Sequence, residues 1–156
     1  MFKKFFSFLT NIGISNSLSP KEKKQIRLTN QIAVIALVSA LPYYFIFITF
    51  NLSLAANMVW VVVLCFLFIF VFNYYNNYNI AKLLVISTQA IFFAFYSIYL
   101  GFESGAHLLF VPLAILPLIL YPSEKQRNYR WLGYTIVLIS ISGMAMCHLL
   151  WSGFTI

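Results

Sequence analysis

Long apolar segments alternate with short polar ones along most of the chain. A helix needs about 20 apolar residues to cross the hydrocarbon core of a bilayer, so each long apolar segment is interpreted as a membrane span. The spans lie at about residues 30–50, 54–72, 80–100, 107–121 and 131–151, and the fourth is short for a full crossing. The pattern predicts an all-α fold, a polytopic transmembrane helical bundle of about five spans preceded by an amphipathic interfacial helix.

The first residues of the chain carry an amphipathic pattern. Their apolar side chains fall largely on one helical face, with Lys3 and Lys4 towards its edge, as is typical of a helix lying in the inner membrane interface. The apolar members are Phe2, Phe5, Phe6, Phe8, Leu9 and Ile12. Because no small-residue cleavage site follows, this segment is interpreted as an uncleaved surface anchor and not as a signal peptide.

A capping motif follows in the polar stretch before the first span. Ser19 is placed to be an N-cap, Pro20 stands at the first helical position, and Glu22 follows three residues after the cap. A short basic helix is therefore expected to lead into the membrane. Residues 1–29 are assigned as cytoplasmic lead-in helices and residues 30–151 as the transmembrane bundle.

Composition agrees with a membrane protein. The chain has 156 residues, of which 62% are hydrophobic and 8% charged, and its mean hydropathy is +0.89. This is more apolar surface than a soluble domain of that size could bury, so lipid must be part of the solvent. The net charge of +7 comes from residues flanking the apolar segments, without the interleaved aromatics of a nucleic-acid site. Nucleic acid is therefore not an expected partner.

The basic residues also predict the topology. If five spans alternate from a cytoplasmic N-terminus, all 10 Lys and Arg residues lie on the cytoplasmic side, where they can contact anionic lipid. These are Lys3, Lys4, Lys21, Lys23, Lys24, Arg27, Lys82, Lys125, Arg127 and Arg130. The spans are then interpreted as free of charged side chains. Residues 152–156 become an outer tail, as expected of a chain truncated before a further helix.

Prolines and small residues add packing expectations. Pro42, Pro112 and Pro117 lie inside predicted spans and are expected to kink them. Gly133 and Gly143 give the last span a small-residue face, which suits contact within the bundle or with a second subunit. Contact within the bundle is the preferred interpretation of this face, and a homodimer or larger oligomer is a separate expectation for the chain. No cofactor is expected, since no phosphate loop, nucleophile–base pair or carboxylate dyad is present.

The segment Leu100-Gly-Phe-Glu-Ser-Gly-Ala-His-Leu-Leu-Phe-Val-Pro-Leu resembles part of the membrane domain that begins many bacterial signalling proteins, especially from Bacteroidetes-like organisms. The resemblance extends to the polar lead-in of residues 19–30 and to residues 123–127. It implies an N-terminal input module of a sensor histidine kinase or class III nucleotide cyclase in the bacterial inner membrane. Such proteins continue through a further helix into a cytoplasmic output domain, and this chain departs from that pattern. It is therefore not expected to be an enzyme itself.

The outer ends of the predicted spans carry the candidate ligand site. Glu103, Ser104 and His107 surround the start of the fourth span, and His148 lies near the outer end of the fifth. Further polar and aromatic residues at a similar depth are Asn57, Trp60 and Trp151. Glu103, His107 and His148 could hold a divalent metal, and His107 could titrate near neutral pH. The alternatives are a small-molecule or lipid ligand, or a purely structural role in which His107 braces the turn and His148 is interfacial.

The leading functional hypothesis is a membrane sensory or input module that couples an outer ligand or the membrane state to a cytoplasmic output. Ion pumps and proton-coupled carriers place charged residues within their spans, which disfavours those classes. Two alternatives remain from the sequence: an oligomeric pore or membrane effector, and a structural subunit of a larger membrane complex.

Overall fold

The structure is a computed structural model that describes residues 2–153, and in this part of the chain the all-α prediction is confirmed. Six α-helices follow one another: α1 (Phe2–Thr10), α2 (Pro20–Thr49), α3 (Ser53–Tyr74), α4 (Tyr78–Leu100), α5 (Phe110–Leu120) and α6 (Arg127–Gly153). Three short 3-10 turns lie at Phe102–Ser104, Ala106–Leu109 and Glu124–Gln126. The side chains of Phe2, Phe102 and residues 151–153 are outside the description.

The helices have the length and composition of membrane spans. Within residues 2–153, four helices are long and apolar enough to cross a bilayer, at Pro20–Thr49, Ser53–Tyr74, Tyr78–Leu100 and Glu124–Leu150. The chain is a membrane protein with transmembrane-helix character. The fourth predicted span forms a shorter apolar stretch, Ala106–Leu120, in which only 11 residues are α-helical. At 1.5 Å per residue, α5 covers about 16 Å of a core about 30 Å thick.

The lead-in helix and the first predicted span form one helix. α2 contains 30 residues and begins with the predicted cap, in which Ser19 accepts from the Glu22 backbone and Glu22 from the Ser19 backbone. The capping-box prediction is confirmed, whereas the separate short basic helix is not observed. Helical structure continues through Pro42 to Thr49. Apart from Pro42, residues 21–49 contain no proline or glycine, so the sequence has no signal that would end the helix near Asn30.

The chain divides into two units, residues 1–85 and residues 86–156. In the first unit, α2 and α3 pack against each other and α1 contacts α2. Ala33, Ala55 and Ala56 are almost fully buried there, and small side chains of this kind let helices approach closely in lipid. Asn51 and Asn76, in the two helix connections, adopt positive φ angles of 57° and 62°. Asparagine tolerates this left-handed conformation, which allows tight turns.

The second unit is organised by contact between α5 and α6. Phe110, Leu113, Pro117 and Leu120 are buried on one stripe of α5. Gly133 lies against this stripe, since a Cβ there would be 3.2 Å from Pro117 Cβ. A Cβ at Gly143 would meet nothing within 4 Å. The predicted small-residue face therefore packs internally at Gly133 and leaves open space beside Gly143.

Candidate functional site

The predicted outer-site residues Glu103 and Ser104 lie in the connection between α4 and α5. Both are exposed. The Ser104 hydroxyl donates to the Gly101 carbonyl at 2.7 Å and accepts from the Ala106 backbone N–H at 3.3 Å. Gly101 takes φ +82°, which suits glycine. The geometry of Ser104 is thus explained by formation of the turn.

The two histidines are both partly buried. His107 lies in the 3-10 turn Ala106–Leu109. His148 Nε2 lies 3.2 Å from the backbone carbonyl oxygen of Ser97, a fully buried residue of α4. This contact joins α6 to α4 within the second unit. Within residues 2–153, no group of three or more His, Cys, Asp or Glu side chains could hold a metal ion.

The remaining predicted residues are distributed over both units. Asn57 is exposed, and Trp60 is 49% exposed, with its ring edge-on to Tyr44 at 5.4 Å. Trp151 belongs to α6, but its side chain is outside the described part. Of the prolines, Pro42 lies inside α2 and Pro117 inside α5. Pro112 occupies the first turn of α5, where its missing N–H removes no helical hydrogen bond.

A buried polar cluster in the first unit was not predicted as a site. We call it the clasp and define it as residues 10–13 with Asn30, Asn73 and Tyr78. Asn30 of α2 and Asn73 of α3 are 0% and 1% exposed. The Asn30 amide donates to the Ile12 carbonyl at 2.9 Å and to the Thr10 carbonyl at 3.3 Å. Asn73 Nδ2 donates to Asn30 Oδ1 at 2.7 Å.

The carbonyl acceptors fix the orientation of both amides. Because the Thr10 and Ile12 carbonyls can only accept, Asn30 must present its NH2 group to them and its oxygen to Asn73. Asn73 must then present its own NH2 group to Asn30. This arrangement leaves Asn73 Oδ1 buried, with no hydrogen-bond partner among the described residues. The clasp is therefore a directional chain of amides with one acceptor unsatisfied.

Gly13 completes the clasp by close backbone contact. It adopts φ +80°, and a Cβ at this position would lie 2.2 Å from the Asn73 carbonyl oxygen. The Tyr78 hydroxyl donates to the Gly13 carbonyl at 2.8 Å. The segment after α1 is thus held by side chains or backbone of α2, α3 and α4. Only glycine fits between these groups without displacement.

A buried lysine lies in the same unit. Lys82, in the second turn of α4, is 2% exposed, and its Nζ donates to Gln25 Oε1 of α2 at 2.6 Å. Burying a charged group is costly unless it is paired or hydrogen-bonded, which accounts for this short contact. The sequence interpretation assigned Lys82 to the cytoplasmic side and counted no charged side chain within the spans, although residue 82 falls in the predicted span 80–100. The structure buries Lys82 in the packing between α4 and α2.

Basic side chains surround the clasp. Arg27 Nη2 and Nε donate to Asn11 Oδ1 at 3.0 Å and 3.2 Å. Lys23 Nζ donates to the Asn16 carbonyl at 3.3 Å. Lys3, Lys4, Lys21 and Lys24 are exposed. The exterior of this end of the unit is therefore strongly positive, while the clasp itself consists of neutral amides, hydroxyl groups and backbone carbonyls.

Sequence reasoning did not find the clasp, although one signal was available. Asn30, Asn73 and Tyr78 stand at the limits of three apolar segments. They were interpreted as boundary and headgroup residues, each in isolation. Three hydrogen-bonding residues at one depth suggest mutual contact, but only the structure identifies their partners.

Comparison of the chain with protein-family models, with curated proteins and with solved structures gave no match.

Proposed function

We propose that the chain is a membrane input module of a signal-transduction protein, and that the clasp couples α1 to α2 at Asn30 and to the neighbouring ends of α3 and α4. The observation that carries this proposal is the chain of buried amides from residues 10–12 through Asn30 to Asn73. A surface helix held by three spans can move only if those contacts change. Asn73 ends α3 and Tyr78 begins α4, while Asn30 lies within α2 about 15 Å from its first residue, so such a change alters how α2 packs against the ends of α3 and α4.

Signalling suits this arrangement better than catalysis or transport. A switch needs an element with two discrete arrangements that an input can bias. The clasp offers these as α1 docked and α1 released. The resemblance of residues 100–121 to bacterial input domains supports the same class. The cytoplasmic output domain that such modules serve is part of the proposal and lies outside this chain.

The proposed topology has five crossings, with the N-terminus in the cytoplasm of a bacterium. If α5 did not cross, Lys125, Arg127 and Arg130 would lie opposite Lys3 and Lys4, against the positive-inside tendency. With the preceding 3-10 turn, the α5 stretch reaches about 24 Å. The shortfall of about 6 Å is within what local bilayer thinning accommodates. Charge and length together favour a crossing.

The proposal is tested by perturbing the clasp and observing the opposite end of α3. A single cysteine replaces Asn57, the native Cys65 and Cys147 are changed to Ser, and the chain is reconstituted in liposomes. Asn73→Ala should change the rate of maleimide labelling at position 57 several-fold. Asn77→Ala removes an exposed amide from the neighbouring turn and should leave that rate unchanged.

Two results would contradict the input-module proposal. An equal labelling rate in wild type and Asn73→Ala would mean that the clasp holds α1 without transmitting anything along α3. Ion leakage through liposomes containing the wild-type chain would favour the pore or membrane-effector alternative. Both measurements use the same reconstituted material.

A further inference from the structure

The exposed face of α1 is apolar and is flanked by lysines. Phe5 and Phe8 are 61% and 68% exposed, whereas Thr10 at the end of the helix is buried. At 100° per residue, Phe5 and Phe8 lie about 60° apart on the helix. Lys3 and Lys4 are both exposed and lie outside this apolar arc. Two aromatic rings with adjacent cations are the pattern of a helix that lies in a lipid interface.

The clasp fixes the depth at which this face lies. Asn30 begins the apolar part of α2, Asn73 ends that of α3, and Tyr78 begins that of α4. From Asn30 to Thr49, α2 extends about 30 Å, which equals the thickness of the hydrocarbon core. Residues 10–13, hydrogen-bonded to Asn30, therefore lie where the core gives way to headgroups. A helix that ends at this depth is in contact with the lipid headgroups, whereas a soluble protein would have to approach it from the water phase.

Charge determines which lipid suits the surface. Residues 2–27 contain six basic residues and one acidic residue, and the carboxylate of that residue, Glu22, accepts from the Ser19 N–H and hydroxyl in the α2 cap. The first part of α2 extends about 15 Å beyond Asn30, so the nearer of its basic residues lie within about a Debye length of the headgroups. An anionic leaflet is complementary to this surface, and a zwitterionic leaflet is not.

We infer that the face of α1 carrying Phe5 and Phe8 is a docking surface for anionic lipid of the leaflet in which the clasp lies. Lys3 and Lys4 contact the headgroups while the phenylalanine rings enter the acyl boundary. That this contact serves as an input rests on the proposed function, because the clasp then transmits whether α1 is seated. The seating itself does not depend on any signalling role.

The experiment measures the depth of a spin label on α1 in the full-length chain, with Cys65 and Cys147 changed to Ser. The label is attached at position 5, and in a matched control at position 7, which lies about 160° away around the helix. Liposomes contain phosphatidylcholine alone or phosphatidylcholine with phosphatidylglycerol. Relaxation by oxygen reports lipid exposure, and relaxation by a water-soluble nickel complex reports water exposure.

We expect the label at position 5 to enter lipid in anionic liposomes and to become more exposed to water in phosphatidylcholine alone. The label at position 7 should remain accessible to water in both. Changing Lys3 and Lys4 to Gln should lower the seated fraction, by roughly 30-fold in the ratio of seated to unseated helix for two lysines near an anionic surface. Changing the same residues to Arg should preserve it.

Three outcomes would overturn the inference. If the depth of the label at position 5 does not depend on lipid charge, anionic lipid is not the specific partner of this face. Dipolar broadening between labels would show that a second copy of the chain covers the face. Full water exposure of the label at position 5 in both kinds of liposome would show that lipid does not cover this face of α1 and would favour a soluble protein as its partner. Because no output is measured, these results are separate from the labelling test at position 57.

Discussion

Gly13→Ala is the most direct test of the clasp, because two separate costs arise at that position. Alanine at φ +80° costs about 1–2 kcal/mol as a left-handed residue. Its Cβ would also stand 2.2 Å from the Asn73 carbonyl oxygen, so residue 13 must move by about 1 Å or more to reach ordinary contact. That displacement stretches two hydrogen bonds, from Tyr78 Oη to the Gly13 carbonyl and from Asn30 Nδ2 to the Ile12 carbonyl.

These costs give the expected change in the free energy of α1 docking. Each lost hydrogen bond contributes about 1 kcal/mol, and more if a buried group is left unsatisfied. With the backbone cost, Gly13→Ala should destabilise docking of α1 by about 3–5 kcal/mol. The cost cannot exceed the docking free energy of α1, because the helix then leaves the clasp instead of straining it.

Gly101→Ala is the matched control. Gly101 has nearly the same backbone angle, φ +82°, but a Cβ there would meet nothing within 4 Å. Its replacement should cost only the backbone term of about 1–2 kcal/mol. The difference between the two variants therefore isolates the contact with Asn73.

Two measurements on purified protein check the Gly13 prediction. Reversible unfolding in mixed micelles gives the change in unfolding free energy, and amide hydrogen exchange of residues 11–14 reports release of α1. Gly13→Ala should raise exchange in this segment, while Gly101→Ala should leave it unchanged. Equal unfolding costs for both variants, or unchanged exchange in Gly13→Ala, would refute the clasp geometry.

Three further predictions concern the amides, the lysine and the topology. Asn30→Ala and Asn73→Ala should each lower the free energy of unfolding by about 1–3 kcal/mol. Their double-mutant cycle in micelle unfolding should give a coupling energy of about 0.6–1.7 kcal/mol, and strictly additive effects would exclude the amide contact. Gln25→Ala should destabilise by about 1.5–3 kcal/mol because a buried ammonium loses a partner, and adding Lys82→Met should recover part of this loss in the same assay. A cysteine at Glu103 should react with an impermeant maleimide added outside intact cells, and reaction only after lysis would invert the proposed topology.

Helices were predictable from the sequence because each depends on local information. Apolar length indicated the long spans, and Ser19, Pro20 and Glu22 indicated where α2 begins. The span predicted from Asn30 is part of a longer helix that begins at Pro20, because hydropathy marks entry into lipid and not the beginning of helical structure. The side-chain contacts of Asn30 with Ile12 and Asn73 join residues distant in sequence, and no spacing rule gives them.

The outer candidate residues show what residue type and predicted depth cannot establish about function. Chemistry-bearing side chains at one predicted depth indicate a ligand site, and that site stays a prediction; the structure shows that Ser104 and His148 contact backbone carbonyls. Histidine and serine side chains near helix ends form hydrogen bonds with backbone groups as readily as they bind ligands. Residue type and depth alone could not separate these roles.

The unsatisfied acceptor in the clasp bears on how such an element could switch. Asn73 Oδ1 is buried without a described partner, which costs about 1–3 kcal/mol in the docked state. Release of α1 would expose this oxygen to interfacial water and recover that cost, offsetting part of the hydrogen bonds lost at Thr10 and Ile12. The docked and released states are thereby closer in free energy than a fully satisfied clasp would make them. A difference of a few kcal/mol is within the range that a lipid with unequal affinity for two states can shift.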